Sequence, residues 1–459
     1  MKHPLLPFLF SAIFFAHESS ASSEFLPPDT TTSIVDKTAA VYLVDEGKTL
    51  YLKGQVKNAL IKFRQASVKD PNSWKAAFWI GKCHYVLNNY GYSMKYATIA
   101  TEVGGEKVGD EVYLLLGETY HRMGKIDSAR INYNIALERL TKKRAKELFV
   151  DQRILECDFA EEQMKNGVKY NRSSAGDNVN SGYDEYNAVL TADGKELYFT
   201  SRRSNTTGGG LNPDDQLYFE DTYRCKWDDE AGTWGEPTNE LGKINSEGFD
   251  ALNYISADGL YGVMTLNTTA MDIKKTTRGS DICELKKNKK DTWNSPRAIS
   301  NKTINTSFFE GSATLTADGN TMYFVSDRKG EKSSTDIYVV QKNGKSWGEA
   351  KPLPMGVNTI ARETTPFVTP DGRYLFFSSN GHVGMGGLDI FVVEVLGDNE
   401  YGEPINLGNG INTVNNDSHF VYNAKTGKGL ISGIKIEGSK ASLDIFEIDL
   451  SNFEIPGKK

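Results

Sequence analysis

One stretch decides the fold: Asn358-Thr-Ile-Ala-Arg-Glu363-Thr-Thr-Pro-Phe-Val-Thr-Pro-Asp371-Gly372-Arg-Tyr-Leu-Phe-Phe-Ser-Ser379, followed shortly by Asp389-Ile-Phe391. It holds four marks. They are Asn-[Ser/Thr], a carboxylate five positions after the Asn, Asp-Gly, and an Asp that opens an aromatic strand. The set recurs across the last two-thirds of the chain. The Asn sites are Asn180, Asn245, Asn305, Asn358 and Asn412, and the acids are Glu185, Asp250, Glu310, Glu363 and Asp417. Steps of 65, 60, 53 and 54 residues separate the Asn sites. A period of that length signals a repeat architecture.

Each repeat has the same internal order. The Asn turn leads into a strand that carries the acid. A tight turn follows at Asp193-Gly194, Asp258-Gly259, Asp318-Gly319 and Asp371-Gly372, with Thr426-Gly427 in the fifth repeat. Asp-Gly between apolar strands marks a hairpin, because glycine tolerates φ > 0. The second strand covers Leu197–Ser201, Leu260–Leu266, Met322–Ser326, Leu375–Ser379 or Leu430–Ser432. Tyr, Phe and Val there suit a strand buried on both faces. The third opens at Asp221, Asp281, Asp336, Asp389 or Asp444, and the fourth begins near Trp234, Trp293, Trp347 or Tyr401. Four short antiparallel strands per repeat describe propeller blades. Five blades are expected, the segment 168–178 supplying the outer strand that the last repeat lacks. A sixth blade would require that segment to hide a degenerate repeat.

The front of the chain has another period. Gly47, Gly81 and Gly117 mark equivalent units, and Ala66, Ala100 and Ala136 follow each glycine after 19 residues. The best unit sets small residues (Gly117, Ala129, Ala136) against Tyr113, Tyr120 and Tyr133. Pro71 ends the first unit, since proline cannot continue a helix interior. Residues 141–165 read as a closing helix with Leu148, Ile154 and Phe159 on its apolar face. This spacing resembles the tetratricopeptide repeat. Such helix pairs stack into a solenoid with a concave face, which serves either as a groove for a partner's peptide or as a spacer packed on the next domain.

The blade segments Asp193-Gly-Lys-Glu-Leu-Tyr-Phe-Thr-Ser-Arg-Arg203, Phe219-Glu-Asp-Thr-Tyr223 and Ser378-Ser-Asn-Gly-His-Val-Gly-Met-Gly-Gly-Leu-Asp-Ile-Phe391 resemble WD40-like, TolB-type (PD40) repeats. Tetratricopeptide units followed by this propeller resemble the PorE-like, OmpA-family envelope proteins of Bacteroidetes. That resemblance implies a place near type IX secretion or gliding machinery. It departs from the family at Lys459, where the usual C-terminal OmpA-like domain is not matched. The fold class is therefore α + β multidomain: a signal peptide over 1–21, a TPR-like α-solenoid over 36–165, a five-bladed β-propeller over 168–450 and a tail over 451–459.

The remaining features narrow the function. Hydrophobic content of 39% and charged content of 25% are those of a globular protein. A net charge of −7 with no basic face argues against nucleic acid as a partner. Lys2 and His3 precede an apolar run, Leu5 to Ala16, and then Ser19-Ser20-Ala21. The run is too short for a bilayer core of ~30 Å but suits an export signal cleaved after Ala21. An uncleaved anchor is the alternative. The first cysteine is Cys83, so no lipid-modified N-terminus is expected. Cys83, Cys157, Cys225 and Cys283 have no metal-ligand spacing. Cys83 and Cys157 both fall in the helical part and bridge only if the helices bring them together.

The five acids are the sharpest candidate for chemistry. On innermost strands they would ring a channel, raise one another's pKa, and invite Ca²⁺ or a cationic partner group. Alternatively each acid caps backbone N–H groups. Repetition favours capping, because folding determinants obey a repeat whereas a ligand site breaks it. The Gly208–Gly210 insertion is an exposed contact candidate, and the Gly-rich loop around His382 and Met385 reads as a tight connection. No hydrolase, zinc-protease or phosphate-loop motif occurs. The expected protein is an exported, non-catalytic scaffold without a cofactor, located in the periplasm or at the outer membrane. It would bind envelope proteins through the helical groove and a propeller face. A carbohydrate- or peptidoglycan-binding module is the alternative, and it needs Trp234, Trp293 and Trp347 exposed.

Overall fold

A computed structural model describes residues 32–168, 170–267, 279–329, 334–438 and 440–455. The signal segment 1–21 and the last residues of the tail lie outside the described residues.

Helix pairs build the front. They are α1 (Ile34–Leu52) with α2 (Val56–Lys69), α3 (Trp74–Val86) with α4 (Tyr90–Gly104), and α5 (Glu111–Arg122) with α6 (Ile126–Arg139). The side chains of Ser33 and Ser73 accept from the backbone N–H three residues on, so each caps a helix start. Gly47 sits inside α1, where a Cβ would lie 2.5 Å from the Phe63 ring on α2. Gly117 makes the same close approach to Tyr133. The repeated glycines therefore mark where paired helices cross, not where units begin. Helices α1, α3 and α5 also touch one another in a row. The closing helix is two helices, α7 (Lys142–Glu147) and α8 (Val150–Asn166). Phe149, at φ 55°, breaks them apart, because a left-handed residue cannot continue a right-handed helix. Leu148, Ile154 and Phe159 pack against the core of the third pair, as expected.

Five four-stranded antiparallel blades follow, two of them with a split fourth strand. Their innermost strands are Glu185–Leu190, Phe249–Ile255, Glu310–Leu315, Glu363–Val368 and Asp417–Asn423. Arg172–Ser174 pairs with Lys440–Asp449 and completes the fifth blade, so the ring closes as expected. In that blade Lys428–Glu437 and Lys440–Asp449 form one long hairpin. The two strands run on past Ser432 and start before Asp444, the bounds read from the sequence, with Ile434 opposite Leu443.

The Asn of each turn is the staple between blades. The Asn358 side chain accepts from Ile337 N (2.9 Å) and donates to Ile337 O (3.0 Å). It thereby stands in for one strand peptide on the preceding blade. Asn245 does this to Thr222, Asn305 to Ile282 and Asn412 to Ile390. Asn180 repeats it on Ile445, at 2.8 and 2.7 Å, across the junction of blades 5 and 1. The apolar cores lie between adjacent blades and hold Trp234 and Trp293.

The solenoid rests on the face where the innermost strands begin. Gln55 and Lys57 meet Asp214 and Gln216 of the blade 1 insertion. Gln152 reaches Asn380 O of blade 4, and Gln163 Oε1 accepts from Asn409 N of blade 5. The stack thus lies along an arc of blades 1, 5 and 4. Among the described residues no helix is long and apolar enough to cross a membrane.

Candidate functional site

The five acids all have relative exposures of 0%, and each turns back onto its own Asn-[Ser/Thr] turn. Glu363 accepts from Thr359 N (2.7 Å), Thr359 Oγ1 (2.8 Å) and Ser379 Oγ (2.7 Å). Glu185 does the same with Ser181 and Ser201, and Glu310 with Thr306 and Ser326. Asp250 and Asp417 cap Ser246 and Thr413. Arg203, Arg328 and Arg172 compensate Glu185, Glu310 and Asp417 at 3.2, 3.3 and 2.6 Å. Asp250 has no basic partner among the described residues, and burial pushes its carboxyl up to about 7. Burial also raises Glu185 and Glu363 against their hydrogen bonds. One local turn therefore absorbs each carboxylate, and the acids are not left free to ring the channel. Among the described residues no group of three or more His, Cys, Asp or Glu is placed to hold a metal ion.

Inside the ring, Asn187, Asn253, Ser312, Thr365 and His419 instead line a small cavity of about 30 Å³. These residues sit at a β-bulge in each innermost strand. Four of them have positive φ, from 47° at Thr365 to 56° at Asn187. A bulge re-aims a side chain, here toward the axis. Hydrogen bonds run from blade to blade beside them: Asn187 Nδ2 to Leu252 O (2.8 Å), Ser312 N to Thr265 Oγ1 (3.0 Å), His419 N to Thr365 Oγ1 (3.2 Å).

Departures from the repeat gather at the channel mouth on the solenoid side. Tyr186 stands where other blades carry Ala251, Gly311, Thr364 and Ser418. Arg362 stands where they carry Asp184, Phe249, Phe309 and Asn416. The Tyr186 and His419 rings are 5.7 Å apart. Tyr186 hydrogen-bonds Glu220, whose carboxyl is raised by burial. Beside it Arg202 donates to Tyr218 O (2.6 Å) and pairs with Asp215 at 2.8 Å. Burial, then Arg362, depress His419 to about 3, so its imidazole is neutral near pH 7. Arg362 reaches solvent, but the surrounding mouth crowds its guanidinium so that burial lowers it, and it forms no ion pair among the described residues. Ser418 Oγ lies 3.0 Å from His419 Nδ1. No carboxylate orients that imidazole among the described residues, so the pair lacks the third group of a triad. The mouth offers a phenol, a neutral imidazole and an unpaired guanidinium, a set suited to holding polar or anionic groups.

Sequence reasoning missed Tyr186, Arg362 and Glu220. The available signal was their departure from an otherwise regular repeat. Other expectations resolve differently. Met385 is buried among α5, α6 and α8, packed near Leu114 and Cys157. His121 Nε2 bonds Met385 O (2.8 Å), and Arg122 donates to Val414 O (2.7 Å). The glycine-rich loop is thus the propeller's plug in the helical stack, and the third pair's groove is filled from within the chain. His382 bonds Val357 O and packs on Phe377 and Phe391. All four cysteines are buried free thiols. Trp234 and Trp293 are each 1% exposed, which removes two of the three rim aromatics that the carbohydrate alternative needed.

No family model and no curated protein matches the chain. Among solved structures, TolB from Acinetobacter baumannii is 14% identical, over 65% of this chain and 69% of that one, at a TM-score of 0.32. An endo-arabinase from Bacteroides thetaiotaomicron is 12% identical over 64% of this chain and 100% of that one, at 0.38. The Yersinia enterocolitica type III secretion chaperone SycD, in complex with a peptide of the translocator YopD, is 16% identical over 28% of this chain and 100% of that one, at 0.26.

Proposed function

We propose that the chain is an exported, non-catalytic scaffold that holds a protein partner at the solenoid-side mouth of its propeller channel. One observation carries this reading. Tyr186, Arg362 and His419 break the repeat, and they converge on blades 1, 4 and 5, the same three that seat the helical stack. Polar residues that the repeat pattern does not call for are placed together beside a ready-made second wall. The unpaired Arg362 suits a carboxylate on the partner. The N-terminal signal and the PD40-type repeats support a place in the bacterial envelope, next to secretion or gliding components.

The test is affinity purification of the tagged full chain from envelope extracts. Arg362→Gln and Tyr186→Ala should each lose a protein that wild type and the surface control Lys289→Gln retain. Identical retained proteins for all four chains would refute the site.

A further inference from the structure

The opposite mouth of the channel, ringed by the hairpin turns, is built differently. It opens into a funnel of about 560 Å³, within the range of small-molecule sites. Its walls are apolar: Leu190, Ile255, Leu315, Phe367, Val421 and, from the C-terminal stretch, Ile455. Asn253 and Thr314, which also line the small cavity inside the ring, form its floor. The turns present Ala192, Ala257, Ala317, Pro370 and Ala424 to the funnel, so small side chains leave the opening clear.

Two observations point to a ligand. Tyr374 lines the funnel at 4% exposure, and its hydroxyl has no hydrogen-bond partner. A buried hydroxyl left unpaired is costly, and an acceptor entering the funnel would satisfy it. The second is charge. Four turns place an Asp at the tip, and each is occupied locally. Thr191, Ser256, Thr316 and Thr369 donate to Asp193, Asp258, Asp318 and Asp371 at 2.5–2.6 Å. Each of those Asp residues lies eight positions after its repeat's buried acid; the fifth repeat carries Lys425 there, one place before Thr426-Gly427. Arg373 lines the same mouth on the adjacent blade. Neither Lys425 nor Arg373 forms an ion pair among the described residues. Their acidic neighbours are already held, Asp193 by Thr191 Oγ1 and Lys195 N and Asp371 by Thr369 Oγ1 and Arg373 N.

We propose that this funnel binds a small amphipathic acid, an acyl or aryl body seated on the apolar walls with its carboxylate held by Lys425 and Arg373. The site is separate from the mouth assigned to a protein partner and stands without it.

The full chain is titrated with 8-anilinonaphthalene-1-sulfonate, and the bound dye is then displaced with octanoate or with 1-octanol. Saturable binding at one dye per chain, reversed by octanoate, is expected. Lys425→Asp restores the residue of the other four turns and should fold unchanged. It should weaken octanoate about tenfold or more and leave 1-octanol within about twofold. Ala317→Trp, on an exposed turn, should weaken both by obstructing the opening. Thermal melting matched to wild type shows that each variant is folded. Non-saturable dye binding, octanoate affinity unchanged in Lys425→Asp, or indifference of both probes to Ala317→Trp would each overturn the proposal.

Discussion

Replacing Asn180 with Ala removes the side chain that joins the two ends of the ring. The amide donates to Ile445 O and to Ser174 Oγ and accepts from Ile445 N, within 2.9 Å in every case. Ile445 is fully buried, so its N–H and C=O cannot turn to bulk water. Ile445 O keeps its bond from Ala175 N (3.0 Å), so one group, Ile445 N–H, is left unpaired, a loss of about 1–3 kcal/mol. A water filling the vacated space would keep the loss near the lower figure. For a domain of this size, about 2–4 °C of melting temperature follows each kcal/mol. A fall of about 2–12 °C is therefore expected. The assay is calorimetric or circular-dichroism melting of the full chain at neutral pH. Asn180→Asp separates the parts: it keeps the acceptor for Ile445 N and loses both donations. Asn358→Ala should match Asn180→Ala, since the same two bonds link an internal junction. The control is Asn288→Ala, on an exposed turn. A melting temperature for Asn180→Ala within about 1 °C of the control would show that the staple carries no load.

Two further outcomes are expected. Asp250 titrates near 7 in the folded chain against 3.8 unfolded, so between these values the folded state holds a proton that the unfolded state has released. Stability from this group is therefore greatest below about pH 4, falls as pH rises toward 7, and is level above that. Asp250→Asn removes that fall, so its melting temperature relative to wild type should climb from pH 4 to pH 7; parallel profiles would refute the shift. Met385→Ala deletes a buried side chain from the helical core, at about 2–5 kcal/mol of docking. Two separate melting transitions and faster proteolysis between solenoid and propeller should replace one cooperative unfolding, and unchanged behaviour in both would argue against the plug.

What could be read along the chain was whatever acts over a few residues. Asp-Gly turns, alternating strands and the glycine–alanine spacing of helix pairs all work within one repeat. So does the acid, which reaches a Ser or Thr only four positions before it. That range is why five blades, the closing strand at 172–174 and the helix pairs were legible, and why capping was the better reading of the carboxylates. The same view missed Phe149, where a single left-handed residue splits a helix whose apolar spacing runs straight through. It also missed how far the hairpin of blade 5 runs, which shows only once the register of its facing residues is known.

The chain by itself determined a wheel of five repeats behind a helical stack, because hydrogen bonds within each repeat specify each blade. Only ring closure decided which side chains share a mouth. Tyr186, Arg362 and His419 are far apart in sequence, yet one turn of the wheel sets two of their rings 5.7 Å apart. Lys425 and Arg373 line the other mouth together for the same reason. Burial of Met385 against His121 likewise had no sequence signal, since it depends on how two finished domains meet.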